Sequence, residues 1–175
     1  PENKNVRDGL ASLYKAAGDI KAAVGEFFTL AKLYEKDQDF DSAMLYYGEI
    51  LAAEDRNVEA LRALIRITKL KKDTKAFISY TEQLARYFES MQAWADALPL
   101  YQSIIEANPA HLPAYQRLAA CFEGTDDVDE AINTYKALAD QYARQGAFKA
   151  AIAQLQTVEQ RRPDEESVGV TRNRG

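Results

Sequence analysis

This sequence is poor in the residues that break chains into tight turns: 175 residues hold 8 Gly and 5 Pro. That supply excludes an all-β fold with its many short connections, and Ala, Leu, Glu, Lys, Gln and Arg, the good helix formers, dominate the long segments. No uninterrupted apolar run approaches the roughly 18 to 20 residues needed to cross a membrane as a helix. A single cysteine, Cys121, excludes an internal disulfide, and no Asn-x-Ser/Thr acceptor occurs, which together favour a reducing, cytoplasmic setting. There is one histidine, no Gly-rich phosphate loop, no His-Glu-x-x-His and no zinc spacing, so the expectation is no enzyme, no metal and no cofactor. An excess of basic residues is missing too. With 22 Lys and Arg against 27 Asp and Glu the net charge is −5, which argues against nucleic acid and against an acidic membrane surface. Pro1 stands where an initiating Met would, which suggests a segment of a longer chain.

What is present is repetition. Leu30, Leu84 and Leu138 stand about 54 residues apart, as do Ala31, Ala85 and Ala139, then Phe40, Trp94 and Phe148. Ala43, Ala97 and Ala151 keep step, with Tyr47, Tyr101 and Leu155 behind them and Ile50, Ile104 and Val158 behind those. Agreement in size and polarity at so many places without a gap is the mark of a repeat array, in which each unit buries its apolar face by stacking on the next. Apolar steps of three and four residues predict about nine helices: roughly 5–17, 20–36, one opening at Phe40 and closed by Glu54-Asp55-Arg56-Asn57, one marked by Leu61, Leu64, Ile65 and Thr68, two running to about Tyr87–Ser90 and to Ala107, then 112–122, 127–144 and 148–161. Asp19, Asp73 and Asp127 are the expected caps, Asn108-Pro109 and Gly124-Thr125 the expected breaks. The units are expected at 19–72, 73–126 and 127–163 within one array over 1–163, with a partial unit at 5–18. Residues 164–175 form a tail or the start of a further helix, Val168 standing where Ala60 and Ala114 stand.

These residues resemble the tetratricopeptide repeat family, in which a first helix carries a Leu-small-x-x-Tyr step, a Gly or Asp turn follows, and a second helix carries Ala, an aromatic and an apolar residue before a proline. Leu84-Ala85, Phe88, Gln92, Ala97, Tyr101, Ile104 and Pro109 match that order. Leu118-Ala119, Phe122, Asp126, Ala131, Tyr135 and Leu138 match it again, as do Leu138-Ala139, Tyr142, Gly146, Ala151, Leu155 and Pro163. Leu138 both closes a match and opens one, so the period is about three helices where the family usually has two. The resemblance implies an all-α helical-hairpin array, a right-handed superhelix, acting as a protein–protein interaction scaffold. A ligand- or peptide-sensing regulatory domain is the alternative reading, and RNA binding is disfavoured by the acidic balance. Some family members clamp a peptide's terminal carboxylate with Lys, Asn and Arg on successive first helices. The expected first helices here carry no such Asn, so a chaperone tail is not the expected ligand.

Comparison among the copies separates framework from freedom. Arg62, Arg66 and Lys69 form a basic ridge at i, i+4 and i+7, where the other copies carry Asp8, Ser12 and Lys15, and Gln116, Ala120 and Glu123. Phe28 stands opposite Glu82 and Lys136, and Tyr46 opposite Leu100 and Gln154. These five are the candidate partner-binding residues, weighed against a solvated face for the ridge and packing on neighbours for the aromatics; the partner they suit is an acidic segment of another protein. Asp37, Asp39 and Asp41 imitate the start of a calcium loop, but Ser42 replaces the turning glycine and Gly48 the closing glutamate, so capping is expected instead. His111 and Cys121 lie ten residues apart, off a common helical face, which leaves the cysteine a structural role. Leu10, Leu13 and Phe28 at one end and Val158 at the other predict sticky ends and homodimers formed through them.

Overall fold

A computed structural model describes residues 3–161. It contains nine α-helices over those residues: α1 (Lys4–Ala16), α2 (Ile20–Lys36), α3 (Phe40–Ala53), α4 (Val58–Leu70), α5 (Thr74–Ser90), α6 (Trp94–Ala107), α7 (Leu112–Gly124), α8 (Val128–Arg144) and α9 (Phe148–Arg161). Every boundary repeats at the sequence period: α1, α4 and α7 begin at 4, 58 and 112, and α3, α6 and α9 end at 53, 107 and 161. The expected tail or tenth helix at 164–175 lies outside the described residues. Among the described residues no helix is long and apolar enough to cross a membrane.

The turns repeat as well, and for a backbone reason. Gly18, Lys72 and Asp126 have positive φ of 79°, 58° and 59°; Gln38, Gln92 and Gly146 have 61°, 57° and 75°. Each is the left-handed residue that ends a helix, and the next N–H closes back on the last turn: Asp19 to Tyr14, Asp39 to Tyr34, Asp73 to Thr68, Ala93 to Phe88, Asp127 to Phe122 and Ala147 to Tyr142, at 2.9–3.0 Å. Asp19, Asp39, Asp73 and Asp127 then cap the following helix with their side chains. Helix α7 ends at Gly124 with Thr125 as its C-cap, at the expected break, and the left-handed residue of this turn is Asp126 rather than the glycine.

The chain divides into two compact units, Pro1–Tyr87 and Phe88–Gly175, with the boundary inside α5. In the first, α1 packs on α2, α2 on α3 and α3 on α4. Its core joins Ala23, Phe27, Ala31, Ala43, Tyr47, Ile50, Ala60, Leu64 and Ile67. In the second, α6 packs on α7, α7 on α8 and α8 on α9, around Ala97, Tyr101, Ile104, Ala114, Leu118, Ala131 and Leu138. The repeated alanines Ala31, Ala43, Ala85 and Ala97 are all fully buried, because only a side chain that small lets helices pass closely.

Candidate functional site: an acid–tyrosine–arginine cleft in the first unit

Helix α4 is capped by Asn57, whose side chain accepts from the Ala60 N–H at 3.0 Å, and its apolar stripe of Ala60, Leu61, Leu64, Ile67 and Thr68 is buried. The opposite face therefore looks outward, and Arg62, Arg66 and Lys69 are exposed on it. Arg62 and Arg66 border an open cleft of about 420 Å³ together with Lys32 and Glu35 from α2, Tyr47 from α3 and Glu59 from α4. Lys69 lies outside its lining. Glu35 is the centre of the cleft: its carboxylate, 15% exposed, accepts from the Tyr47 hydroxyl at 2.5 Å and pairs with the Arg66 guanidinium. Burial, and then the bond to Glu35, push the ionisation of the Tyr47 hydroxyl up out of reach. Lys32 pairs with Glu59 at 3.0 Å, with both side chains 63% exposed, so that pair contributes little.

The two candidate aromatics separate. Phe28 stands at the edge of the cleft, its ring meeting Tyr47 edge-on at 6.1 Å with the Lys32 ammonium 5.5 Å above it. Tyr46 points elsewhere. Its ring stacks on Tyr34 at 5.5 Å and its hydroxyl donates to Asp8 at 2.9 Å, which places it in the α1–α2–α3 packing.

Glu35 was not among the residues singled out from the sequence, yet the signal was there, because Glu89 stands 54 residues later and Tyr101 answers Tyr47. In the second unit Glu89, 12% exposed, pairs with Arg117 at 3.6 Å and accepts from the Cys121 thiol at 3.8 Å. Arg117 is the counterpart of Ala63, one helical turn before the counterpart of Arg66. The first two copies therefore each supply this acid with an arginine, but from different turns of the covering helix. This explains why Arg66 looked unique to one copy when positions were compared singly. The second unit also has a cleft of about 510 Å³ between α6, α7 and α8, floored by Ile105, Tyr115, Leu118 and Ala137 and rimmed by Gln102, Glu106 and Asn133.

Residues 90–155 match the family model for the tetratricopeptide repeat. That stretch carries tetratricopeptide repeat sequence. Among curated proteins, a wheat (Triticum aestivum) "Hsp70-Hsp90 organizing protein" is 29% identical over 134 residues, covering 69% of this chain and 23% of its own length. The Saccharomyces cerevisiae "Heat shock protein STI1" is 27% identical over 117 residues, covering 67% of this chain and 19% of its own. The chain thus spans about a fifth to a quarter of the length of these relatives. A solved MamA structure from Desulfovibrio magneticus RS-1 overlays 96% of this chain and 97% of that one, at 15% identity and a TM-score of 0.44.

The remaining chemistry-bearing residues have structural partners. Asp37 pairs with Lys4 at 2.6 Å, Asp41 pairs with Lys71, and Asp39 accepts from the Ser42 N–H at 3.1 Å and hydroxyl at 2.7 Å. His111 is the residue before α7 rather than within it. Cys121 is fully buried, and burial together with the Glu89 carboxylate pushes its thiol up to about 12. The native thiol is therefore expected not to react with a disulfide reagent at pH 8, whereas the denatured chain reacts completely; fast labelling of native protein would contradict this burial. Because the folded thiol ionises near 12 and the unfolded one near 9.0, stability is unaffected below pH 9 and falls as pH rises from 9 towards 12. Melts of Cys121→Ala should lack that part of the alkaline slope.

Proposed function

We propose that this chain is a protein-interaction scaffold with repeats at 19–72, 73–126 and 127–163, and that the cleft of the first unit holds an acidic segment of a partner protein. The observation that carries this reading is the gathering of Lys32, Arg62 and Arg66 from two helices around one open cleft, on a chain that is otherwise acidic. Arg66 is tied to Glu35, but a guanidinium has five N–H donors and a carboxylate on one edge leaves others for a partner. Phe28, half-buried against the Tyr47 ring, offers an apolar contact for a side chain next to the partner's acids. A cleft open along its length suits an extended segment, where a sensor of small molecules would need an enclosed pocket. We assign no catalytic step to the chain, and we place it in the cytoplasm. The printed name of the wheat relative, "Hsp70-Hsp90 organizing protein", agrees with a scaffold.

Exposed charge pairs contribute about 0.2 to 1 kcal/mol each, so the basic residues should set association rate more than affinity. Arg62→Glu is the probe used, because Arg66→Glu would add a second carboxylate beside Glu35. Immobilised peptides rich in Asp and Glu with one Leu or Phe should bind at low salt, and Arg62→Glu should slow association about tenfold. Lys69→Glu, outside the cleft, should slow it less. Equal on-rates for the wild type and Arg62→Glu would remove the cleft from the reading.

A further inference from the structure

At a position where the first unit packs a tyrosine, the second unit has its cleft. Thr134 and Ala137 form the α8 wall of that cleft, and 54 residues earlier α5 carries Tyr80 and Gln83. Tyr80 and Leu51 are both half-buried against the core of the first unit, and Leu51 is the counterpart of Ile105 in the cleft. Threonine in place of tyrosine removes a ring from the bottom. The rim changes the opposite way, because Gln102, Glu106 and Asn133 stand where the first copy has Gly48, Ala52 and Ser79. Tyr115 is the exception on the floor, being larger than its counterpart Leu61, but it is itself buried. Shorter residues on α8 and longer ones at the edge thus give the second unit its depression of about 510 Å³.

The floor asks an occupant for no hydrogen bond. The Thr134 hydroxyl donates to the Glu130 carbonyl at 2.8 Å and the Tyr115 hydroxyl to the Pro109 carbonyl at 3.2 Å. With Ile105, Leu118 and Ala137 these residues make a surface that a ring can cover without stranding a polar group. The rim is polar and exposed, and the side chains of Gln102, Glu106 and Asn133 have no hydrogen bond or ion pair among the described residues. Two amides, each both donor and acceptor, suit the backbone of an extended chain; Glu106, the one charged residue of the lining, suits a cation. Glu130 adds charge of the same sign one turn before Thr134. Over residues 88–161 Asp and Glu outnumber Lys and Arg by ten to five, whereas over 3–87 they stand at thirteen to fourteen. The field of the second unit therefore disfavours an acidic segment and draws in a basic one.

We propose that the cleft of the second unit docks an extended segment of a partner protein, with one aromatic side chain over Thr134 and Ala137 and a flanking Lys or Arg facing Glu106. The ring takes the place that Tyr80 holds in the first unit, and its burial supplies most of the affinity. The rim amides hold the backbone beside it, and charge decides which segments approach. This surface lies wholly within 88–161 and has the opposite charge preference to the acidic-segment cleft, so neither depends on the other.

Amide NMR shifts of the full 175-residue chain, followed during titration with the peptide acetyl-Lys-Tyr-Lys-amide, test it. Signals of Ile105, Glu106, Asn133 and Ala137 should move and saturate. Acetyl-Lys-Ala-Lys-amide, without the ring, should bind there about tenfold more weakly or worse, and acetyl-Glu-Tyr-Glu-amide should not saturate the site. Glu106→Gln should weaken the Lys-Tyr-Lys peptide about two- to fivefold. Thr134→Tyr, which restores the residue of the first copy, should abolish the shifts because the chain then fills its own cleft. Ala137→Gln, which restores Gln83, replaces it should Thr134→Tyr lose helicity by circular dichroism. No shift at these residues, an alanine peptide that binds as well as the tyrosine one, or undiminished binding by the filled variant would each overturn the proposal. Shifts at the same residues on concentrating the protein alone would make a second copy the occupant, and would overturn it too.

Discussion

Tyr101→Ala is expected to destabilise the second unit by about 3 to 5 kcal/mol, the range for truncating a large buried aromatic. The ring is 1% exposed on α6, so truncating it removes a fully buried side chain. The hydroxyl is a different matter. Buried, it closes no hydrogen bond of good geometry, although burial and the Glu89 charge both disfavour its ionisation. Tyr101→Phe should therefore be neutral or slightly stabilising. Tyr47→Phe removes a 2.5 Å bond to a carboxylate and should cost about 1.5 to 3 kcal/mol. Leu155→Ala, at the same repeat position but 49% exposed, should change little in dilute protein. Urea unfolding followed by the emission of Trp94, the one tryptophan, reads the second unit directly. A Tyr101→Ala midpoint close to wild type, or a Tyr101→Phe loss equal to that of Tyr47→Phe, would mean that the two copies are not packed as described.

The helices were legible because repetition supplies three independent readings of each one. Ala43, Ala97 and Ala151 agree and are buried in all three copies, and a stripe that is ambiguous once is plain when seen three times. The turns were legible for their aspartate caps but not for their left-handed residues, because Lys72, Gln92 and Asp126 adopt positive φ where glycine is the usual sign. Tertiary packing of the flanking helices overrides local preference there. The cleft was half legible. Searching for positions that differ among copies found Arg62 and Arg66, but the group that organises them, Glu35, is shared with Glu89 and so fell among the framework. An acid conserved between copies and buried needs a cation, and the cation can come from either of two turns of the next helix; single-position comparison cannot see such a swap. Tyr46 shows the converse. It differs among copies because α1 offers it Asp8 and α2 offers it Tyr34, which is packing at the array's start.

Gly124→Leu should be the most damaging change on the outer surface of α7, at about 1 to 3 kcal/mol or more, even though a helix ordinarily gains from losing a glycine. A Cβ at this position would lie 2.6 Å from the Cδ2 and Cε2 atoms of Trp94, the body of the indole rather than a flexible tip. Room can be made only by turning Trp94 away from α7. For a chain of this size the cost corresponds to a fall of about 2 to 4 °C in Tm per kcal/mol, and the displaced indole should emit further to the red. The first copy shows a compatible pair at the same two positions, Phe40 and Leu70. Adding Trp94→Phe to Gly124→Leu reproduces that pair and should recover most of the lost stability, since the smaller ring vacates the space the leucine needs. The cycle of two single variants and the double variant then gives a favourable coupling between sites that touch. Strict additivity of the two single losses would show that the cost at Gly124 comes from the helix end itself and not from the tryptophan.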